Sequence, residues 1–186
     1  MILNDGTILY HGSYTQVSEP DLNKCKFGKD FGKGFYLTTS KSQAERFAKT
    51  SNKKAKDRRL IEPSCNKGFV SSFVFDKQQG LNIYEFNSAD AQWLHCVVGH
   101  RRSRDFKGEI DKWSEYDIIC GKIANDNTNL VITAYIDGIY GNIMSDTADR
   151  IAIGFLEPEN LKDQICIRTA KALRCLSFIE CQEVTI

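Results

Sequence analysis

The sequence predicts a mixed α+β fold in which strands and helices alternate along the chain. Short runs of β-branched and aromatic residues bounded by turn residues indicate the strands, and apolar residues at helical spacing indicate the helices. The chain has 186 residues with 41% hydrophobic and 11% aromatic content, which is enough to bury a substantial core. Because the sequence contains no repeat, no low-complexity tract and no convincing linker, we expect residues 1–186 to form a single domain.

Each predicted element rests on a local pattern of apolar residues and turn or capping residues. Ser40 is expected to cap a helix, and Ser88 or Asp90 a second one. Strands are expected at 9–13, 34–39, 68–76, 81–86, 116–119 and 163–168, helices at 41–48, 93–98, 130–139 and 170–176, and a turn at 124–127. Periodicity alone gives the α+β class and no finer architecture.

Cysteine usage and hydropathy exclude several classes of protein. The seven cysteines form an odd set without a Cys-x-x-Cys pair, so neither a disulfide framework nor a zinc site is indicated. We therefore expect reduced thiols in a cytoplasmic protein, and no metal. No apolar run approaches the length that crosses a bilayer, and no secretory signal is evident, so no membrane partner is expected.

The most informative residues form two short motifs near the N-terminus. The first is Leu9-Tyr10-His11-Gly12-Ser13, and the second is Gly34-Phe35-Tyr36-Leu37-Thr38-Thr39-Ser40. A pocket selective for a flat, amide-bearing ring needs a backbone donor and acceptor for the amide and an aromatic ring for its face. Gly12 suits the first task because it lets backbone approach a ligand closely, His11 beside it can donate to a ribose hydroxyl, and Tyr36 suits the second task.

In order and spacing, these motifs resemble the nicotinamide-binding half of ADP-ribosyltransferases, in particular the diphtheria-toxin class with its His-Tyr-Glu signature. Residues 17–22, 30–36 and several later stretches also resemble a bacterial family of unknown function that is grouped with these enzymes. The resemblance implies split, strongly bent, mostly antiparallel sheets with flanking helices, and NAD as co-substrate. The NAD-binding residues that it implies are His11, Gly12, Ser13, Tyr36, Thr38 and Phe47, with Tyr36 and Phe47 sandwiching the nicotinamide.

The third catalytic element departs from the resembled class. Transfer of ADP-ribose proceeds through a transition state with oxocarbenium character, which a carboxylate can stabilise. In that class a Glu opens a late strand, whereas the matching strand here opens with Gln164, which offers a dipole instead of a full charge. Asp163 should point to the other face of the strand, and Glu157 and Glu159 belong to an expected surface loop. Gln164 is therefore the third catalytic candidate beside His11 and Tyr36, and a Gln164→Glu change is expected to raise NAD cleavage.

The resemblance implies a mono-ADP-ribosyltransferase that carries ADP-ribose from NAD to a protein or nucleic-acid acceptor and releases nicotinamide. Many members of the resembled family are bacterial toxins or phage-defence effectors. The resemblance therefore also implies such a role, with a cognate antitoxin as a further partner. An NAD glycohydrolase that uses water stays open as an alternative, as does a non-catalytic NAD-binding module, because of the Gln164 departure.

Charge does not decide the acceptor. The 25 basic residues balance 24 acidic ones, so global charge does not favour nucleic acid or membrane. Two local basic stretches, 49–59 and 100–104, could contact a nucleic-acid backbone, the NAD pyrophosphate or only solvent. His95 and His100 have no partner at metal-ligand spacing and are expected to have surface or core roles.

Overall fold

The computed structural model describes residues 3–102, 105–123, 126–156 and 161–186. The strands are β1 Thr7–Ser13, β2 Phe35–Leu37, β3 Lys67–Phe75, β4 Ile83–Glu85, β5 Ile118–Lys122, β6 Asp163–Ile167 and β7 Leu176–Thr185. The helices are α1 Lys41–Asp57, α2 Ala91–Arg101, α3 Lys107–Asp111, α4 Asp126–Ile136, α5 Asp146–Leu156 and α6 Ala170–Leu173, with a 3-10 helix at Leu22–Lys24. The predicted α+β class is confirmed.

The strands form two sheets, both mostly antiparallel. One has the order β1-β3-β7, and the other has the order β2-β6-β5-β4, in which the β4–β5 pair is parallel. An isolated bridge joins them: Tyr10 N donates to Thr38 O at 2.8 Å, and Thr38 N donates to Tyr10 O at 3.0 Å. β1 and β2 are therefore neighbours at this bridge, and the division between the sheets lies along them.

One core lies between the two sheets, because alternate residues of each sheet point toward the other. Its fully buried members include Leu9, Phe73, Ile118, Ile165 and Ile167. Complete burial of a side chain of this size stabilises the fold by about 1.5–3 kcal/mol. The residues between these core positions, among them Gly12, Tyr36 and Gln164, therefore point to the outer faces of the sheets.

Helices cover both outer faces. α1 begins at the predicted cap, where Ser40 Oγ accepts from Gln43 N at 3.4 Å. Its small residues Ala44 and Ala48 pack against Tyr10 and Val70 on the outer face of the three-stranded sheet. On the outer face of the other sheet, a second core joins α2, α4 and α5 through buried residues that include Trp93, Leu94, Ile132, Ala148 and Ala152.

Several elements differ from the sequence-based expectations. α1 runs nine residues beyond the expected end, because Asn52 and Ala55 continue its buried stripe to Asp57. The helix expected at 170–176 ends at Leu173, since Leu176 is already the first residue of β7 and pairs with Phe75 of β3. α3, α5 and β7 were not expected. Of the expected turn, residues 124–125 lie outside the described residues, and Asp126 already begins α4.

Two findings bear on the expectations about thiols and membranes. All seven cysteines are unpaired, and Cys96, Cys120, Cys166 and Cys175 are buried; burial raises the pKa of the Cys166 thiol to about 12. Within the described ranges, none of the helices combines the length and the apolar character that crossing a bilayer requires.

Candidate active site

The division between the sheets opens one residue beyond the Tyr10–Thr38 bridge. Continuing the antiparallel register would next pair the backbone of Gly12 with that of Tyr36. Instead, His11 Nδ1 lies 2.8 Å from Tyr36 O and must be the donor, because a carbonyl oxygen only accepts. The imidazole N–H of His11 thus donates to Tyr36 O in place of the backbone N–H of Gly12, and the two strands separate at this point.

The protonation of His11 follows from this hydrogen bond, which requires a proton on Nδ1, together with the burial of the ring. Burial lowers the pKa of the imidazole below its usual value of 6.5, and the ring packs against Phe35 with centroids 4.4 Å apart. A neutral imidazole that donates through Nδ1 carries its lone pair on Nε2. His11 can therefore accept a hydrogen bond from a hydroxyl, whereas the sequence suggested that it would donate one.

Gly12 presents backbone groups to the opening. Tyr10 exchanges its backbone hydrogen bonds with Thr38 on the β2 side, and residues two apart in a strand direct these groups to the same side. The N–H and C=O of Gly12 therefore point away from β3, toward the division between the sheets. The α-carbon faces α1, where an added Cβ would lie 1.9 Å from Ala44 O and 2.8 Å from Ala48 N. Close packing of α1 thus requires glycine here, a reason that sequence analysis did not supply.

Tyr36 is held by the loop between β1 and β2. Its hydroxyl donates to Gly32 O at 2.8 Å and accepts from Phe31 N at 2.9 Å. Burial raises the pKa of this phenol well above its usual value, so it stays protonated at neutral pH. The orientation of the ring is consequently fixed by the loop.

Ser13 and Thr38, the two hydroxyl residues that the resemblance implies for NAD binding, hold the local backbone through hydrogen bonds. Ser13 Oγ accepts from Thr15 N at 3.3 Å in the turn that follows β1. Thr38 Oγ1 accepts from Ser40 N at 3.1 Å, just before α1. Both side chains are buried, and in these hydrogen bonds they fix the ends of the strands that border the opening.

Phe47 lies on the face of α1 that spans the opening. Gln43, Phe47 and Ser51 follow one another at i, i+4 spacing and therefore share this face. Gln43 Nε2 donates to Asp163 O at 3.3 Å, at the start of β6, and Ser51 Oγ accepts from Tyr14 N at 3.2 Å, just past β1. Phe47 lies between these contacts and is 44% exposed.

Gln164 is buried at the start of β6 and contacts a carboxylate that the sequence analysis missed. Its Nε2 donates to Asp30 Oδ2 at 2.8 Å and to Lys122 O at 3.2 Å. Asp30, which is 8% exposed, pairs through Oδ1 with Arg101 Nη2 at 2.7 Å and Nε at 3.0 Å. The available signal for Asp30 was its place in the segment 30–36, which carries part of the family resemblance.

Asp163, another carboxylate considered for the third position, does not share a face of β6 with Gln164. Asp163 Oδ1 pairs with Lys122 Nζ at 3.0 Å, and strand alternation turns its side chain to the face opposite Gln164. Glu157 and Glu159 lie outside the described residues.

The two basic stretches have different environments. In the first, Lys54 and Arg58 lie close enough to the loop residue Lys29 to act on it. The pKa of the Lys29 ammonium is lowered mainly by burial and then by the positive charges of these two groups. The end of α1 and the loop thus form a basic cluster, Lys29, Lys54 and Arg58.

The second stretch is largely engaged with the protein itself. His100 is buried, and its Nδ1 donates to Cys96 O at 2.8 Å. Arg101 pairs with Asp30, and Arg102 Nε lies 3.1 Å from Asp105 Oδ2. Residues 103–104 lie outside the described residues, so the described part of this stretch is mostly internal structure.

The described residues also form two open cavities, and neither is lined by His11, Gly12, Tyr36, Phe47 or Gln164. One of about 430 Å³ is lined by Tyr84, Trp113, Tyr116 and His95 among others, and His95 Nε2 contacts Asp149 Oδ2 at 2.9 Å. The other, of about 350 Å³, borders the β1–β2 loop at Gly32 and Lys33 and is also lined by His100. Across the described ranges, no group of three or more His, Cys, Asp or Glu side chains could hold a metal ion.

Comparison with known proteins gives one family match. Residues 7–178 match the family described as "Protein of unknown function (DUF3990)", so the matched region includes every site residue named above. No curated protein and no solved structure gives a significant match.

Proposed function

The chain belongs to the DUF3990 family of proteins of unknown function, and we propose that it is a mono-ADP-ribosyltransferase. It would transfer ADP-ribose from NAD to a macromolecular acceptor and release nicotinamide. The observation that carries the proposal is the interrupted pairing of β1 and β2, where His11 binds Tyr36 O and leaves the backbone of Gly12 facing the opening.

The opening suits a carboxamide. The amide group of nicotinamide has one carbonyl acceptor and an NH₂ donor, and the N–H and C=O of Gly12 offer the complementary pair. The Tyr36 ring, fixed by the loop, and the exposed Phe47 ring on α1 are the candidates for the two faces of nicotinamide. Aromatic rings of this kind favour stacking with another flat ring.

The chemistry requires stabilisation of a positively charged sugar. The bond between the ribose C1′ and the nicotinamide nitrogen breaks, nicotinamide leaves with the bonding electrons, and positive charge develops on the ribose. A nucleophilic atom of the acceptor then bonds to C1′ and gives up its proton. In this proposal His11 Nε2 and the Gln164 amide hold ribose hydroxyls, and they thereby orient the sugar for attack.

The basic cluster supports a dinucleotide as ligand. Lys29, Lys54 and Arg58 gather positive charge where α1 meets the β1–β2 loop, and such charge attracts a pyrophosphate. Protein and nucleic-acid acceptors both remain within the proposal, as do a toxin or phage-defence role in the cytoplasm and a cognate antitoxin as partner.

The decisive experiment is incubation of the purified protein with NAD labelled in its adenylate half, in a cell lysate. We expect labelled macromolecules and free nicotinamide, and digestion with protease or nuclease would identify the acceptor class. Free ADP-ribose without labelled macromolecules would indicate a glycohydrolase. Intact NAD together with no NAD binding would overturn the proposal.

Variants locate the reaction in the molecule. His11→Ala and Tyr36→Ala should each abolish nicotinamide release in folded protein. His95→Ala is the matched control, because His95 lies beside a different cavity. Unchanged turnover in both site variants would place the activity elsewhere.

A further inference from the structure

Asp30 approaches the start of β6 from the β1–β2 loop and contacts the side chain at the third catalytic position. We propose that Asp30 is a positioning residue that orients and polarises the Gln164 amide, so that this neutral side chain presents its oxygen to the nicotinamide ribose. The inference rests on the proposed function, and it explains how a Gln can serve where the resembled class uses a Glu.

The hydrogen bonds determine which way the Gln164 amide points. A carboxylate oxygen and a backbone carbonyl only accept hydrogen bonds, so Asp30 Oδ2 and Lys122 O must both face the NH₂ group. Their distances from Nε2 are 2.8 and 3.2 Å. The two N–H donors are thereby occupied, and Oε1 is the atom of this amide that is left to accept from a ligand.

Oε1 is not sealed inside the core. Among the described residues, the buried side-chain N and O atoms without a hydrogen-bond partner are Gln43 Oε1, His100 Nε2 and Trp113 Nε1. Gln164 Oε1 is not one of them, although the residue as a whole is only 5% exposed. Strand alternation also places Gln164 on the same face of the sheet as Tyr36, because Tyr36 pairs with Cys166.

Asp30 supplies the charge that Gln164 lacks. A hydrogen bond from an amide to a carboxylate is about twice as strong as a neutral one, and hydrogen bonds in a buried network polarise one another. Negative charge beside Nε2 increases the partial negative charge on Oε1. Arg101 holds the carboxylate of Asp30 with two donors, and its Nη1 donates to Asn129 Oδ1 at 2.6 Å, so Asp30 is fixed in this position.

The same geometry reverses the sequence-based expectation for Gln164→Glu. In Gln164→Glu, an oxygen would replace Nε2 and face Asp30 Oδ2 and Lys122 O, which both only accept hydrogen bonds. The two carboxylates would repel each other, and this oxygen would find no donor in Asp30 or Lys122. We therefore expect Gln164→Glu alone to lower the rate of nicotinamide release.

An exchange of donor and acceptor tests the pair. Gln164→Glu removes the donor, and Asp30→Asn removes the negative charge and leaves one acceptor oxygen where Arg101 and Gln164 now have one each. We expect each change to lower kcat for nicotinamide release about tenfold or more, with KM for NAD within about threefold. In the double variant, the introduced amide can again donate to the introduced carboxylate, so kcat should recover well above both single variants. A purely structural contact would not produce this recovery of kcat at unchanged KM.

Asp163→Asn is the matched control, because it makes the same chemical change one residue away on the opposite face of β6. We expect its kcat to stay near that of the wild type. Wild-type kcat in Asp30→Asn, or a double variant no better than the single ones, would overturn the inference alone. A wild-type protein that neither binds nor cleaves NAD would overturn the proposed function, and with it the catalytic meaning of Asp30.

A measurement on the unaltered protein covers the case in which the variants fail to fold. The side-chain NH₂ of Gln164, observed by nuclear magnetic resonance in labelled wild-type protein, should exchange both hydrogens slowly with water. Rapid exchange of both hydrogens would show that Asp30 and Lys122 do not hold the amide, and would overturn the inference.

Discussion

Gly12 combines two requirements at the scale of a single residue. Its backbone faces the opening between the sheets, and its α-carbon touches the backbone of α1. Any side chain would have to move the helix, because Ala44 O belongs to the main chain and cannot rotate away. The position of α1, and of Phe47 on it, thus depends on the absence of a single methyl group.

Gly12→Ala should destabilise the protein by about 1–3 kcal/mol, as overpacking of a close contact does. The measurement is the free energy of unfolding in urea. Gly154→Ala in α5 is the matched control, because an added Cβ there meets no atom within 4 Å; helix propensity predicts a gain of about 0.5–1 kcal/mol. Equal effects of the two changes would contradict the close packing of α1.

Two histidines with lowered pKa values, the partly buried His11 and the buried His100, make stability depend on pH. Burial lowers the pKa of both His11 and His100 below the usual 6.5, so the unfolded chain takes up protons at a higher pH than the folded one. The free energy of unfolding should therefore be greatest above pH 6.5 and decrease as the pH falls through the lower folded-state pKa values.

Thermal unfolding between pH 7.5 and 5 tests this dependence. We expect Tm to decrease toward acid, and His11→Gln and His100→Gln should each reduce the slope of Tm against pH. Asp117 does not interfere, because its pKa is lowered from 3.8 and lies below this range. A slope unaffected by either substitution would contradict the neutral state of these rings in the folded protein.

At the scale of the element, α1 carries an aromatic ring that the core does not use. Phe47→Ala should leave the free energy of unfolding nearly unchanged and weaken NAD binding by about 1 kcal/mol, or about fivefold in Kd, the value of an aromatic pair. Titration calorimetry with NAD measures the effect. Phe155→Ala in α5 is the control, because that ring is also exposed, at 63%, and should not affect Kd.

The end of α1 should also contribute charge. Lys54→Gln and Arg58→Gln are expected to weaken NAD binding, and to reduce the dependence of Kd on salt, since exposed charges are screened by ions. Lys107→Gln, an exposed lysine in α3, is the control. If neither α1 substitution changes the Kd for NAD, the basic cluster is excluded from the proposed NAD site.

The elements found and missed by sequence analysis differ in a physical way. α1, α2 and β3 were predicted because a capping residue or a run of apolar residues defines each of them. β7 is an exposed strand whose register shifts between Ser72 and Phe73 of its partner, and such a bulge destroys the period of two. α5 was missed although Ala148, Ala152 and Leu156 follow helical spacing, so that signal was present in the sequence.

The site shows the same contrast. His11, Gly12, Tyr36 and Gln164 could be proposed as site residues from the sequence because each lies in a short stretch that carries the family resemblance. Asp30 was not found, since its contact with Gln164 joins residues far apart in the chain, and no local pattern encodes it. The hydroxyls of Ser13 and Thr38 were predicted as ligands, and their turn hydrogen bonds appear only once the backbone is known.

At the scale of the whole molecule, the α+β class followed from periodicity, while the division into two mostly antiparallel sheets followed from the family resemblance alone. Periodicity could not predict this division into two sheets. The division depends on which strands pair, and strand pairing is decided by contacts between segments that are distant in the sequence. Here the strands that meet across the division are consecutive, β1 and β2, whereas the partners behind them are β3 and β6.

The pairing of β2 with β6 has a consequence for the synthesis of the chain. β2 ends at Leu37 and β6 begins at Asp163, so the strand that carries Gln164 leaves the ribosome long after the strand that carries Tyr36. Pairing across such a separation is slow, because the loop between the strands must close first. A nascent chain that already holds His11, Gly12 and Tyr36 therefore still lacks the strand that carries Gln164, the third residue of the proposed NAD site. The proposed reaction could therefore begin only when nearly all of the matched region has been translated and folded.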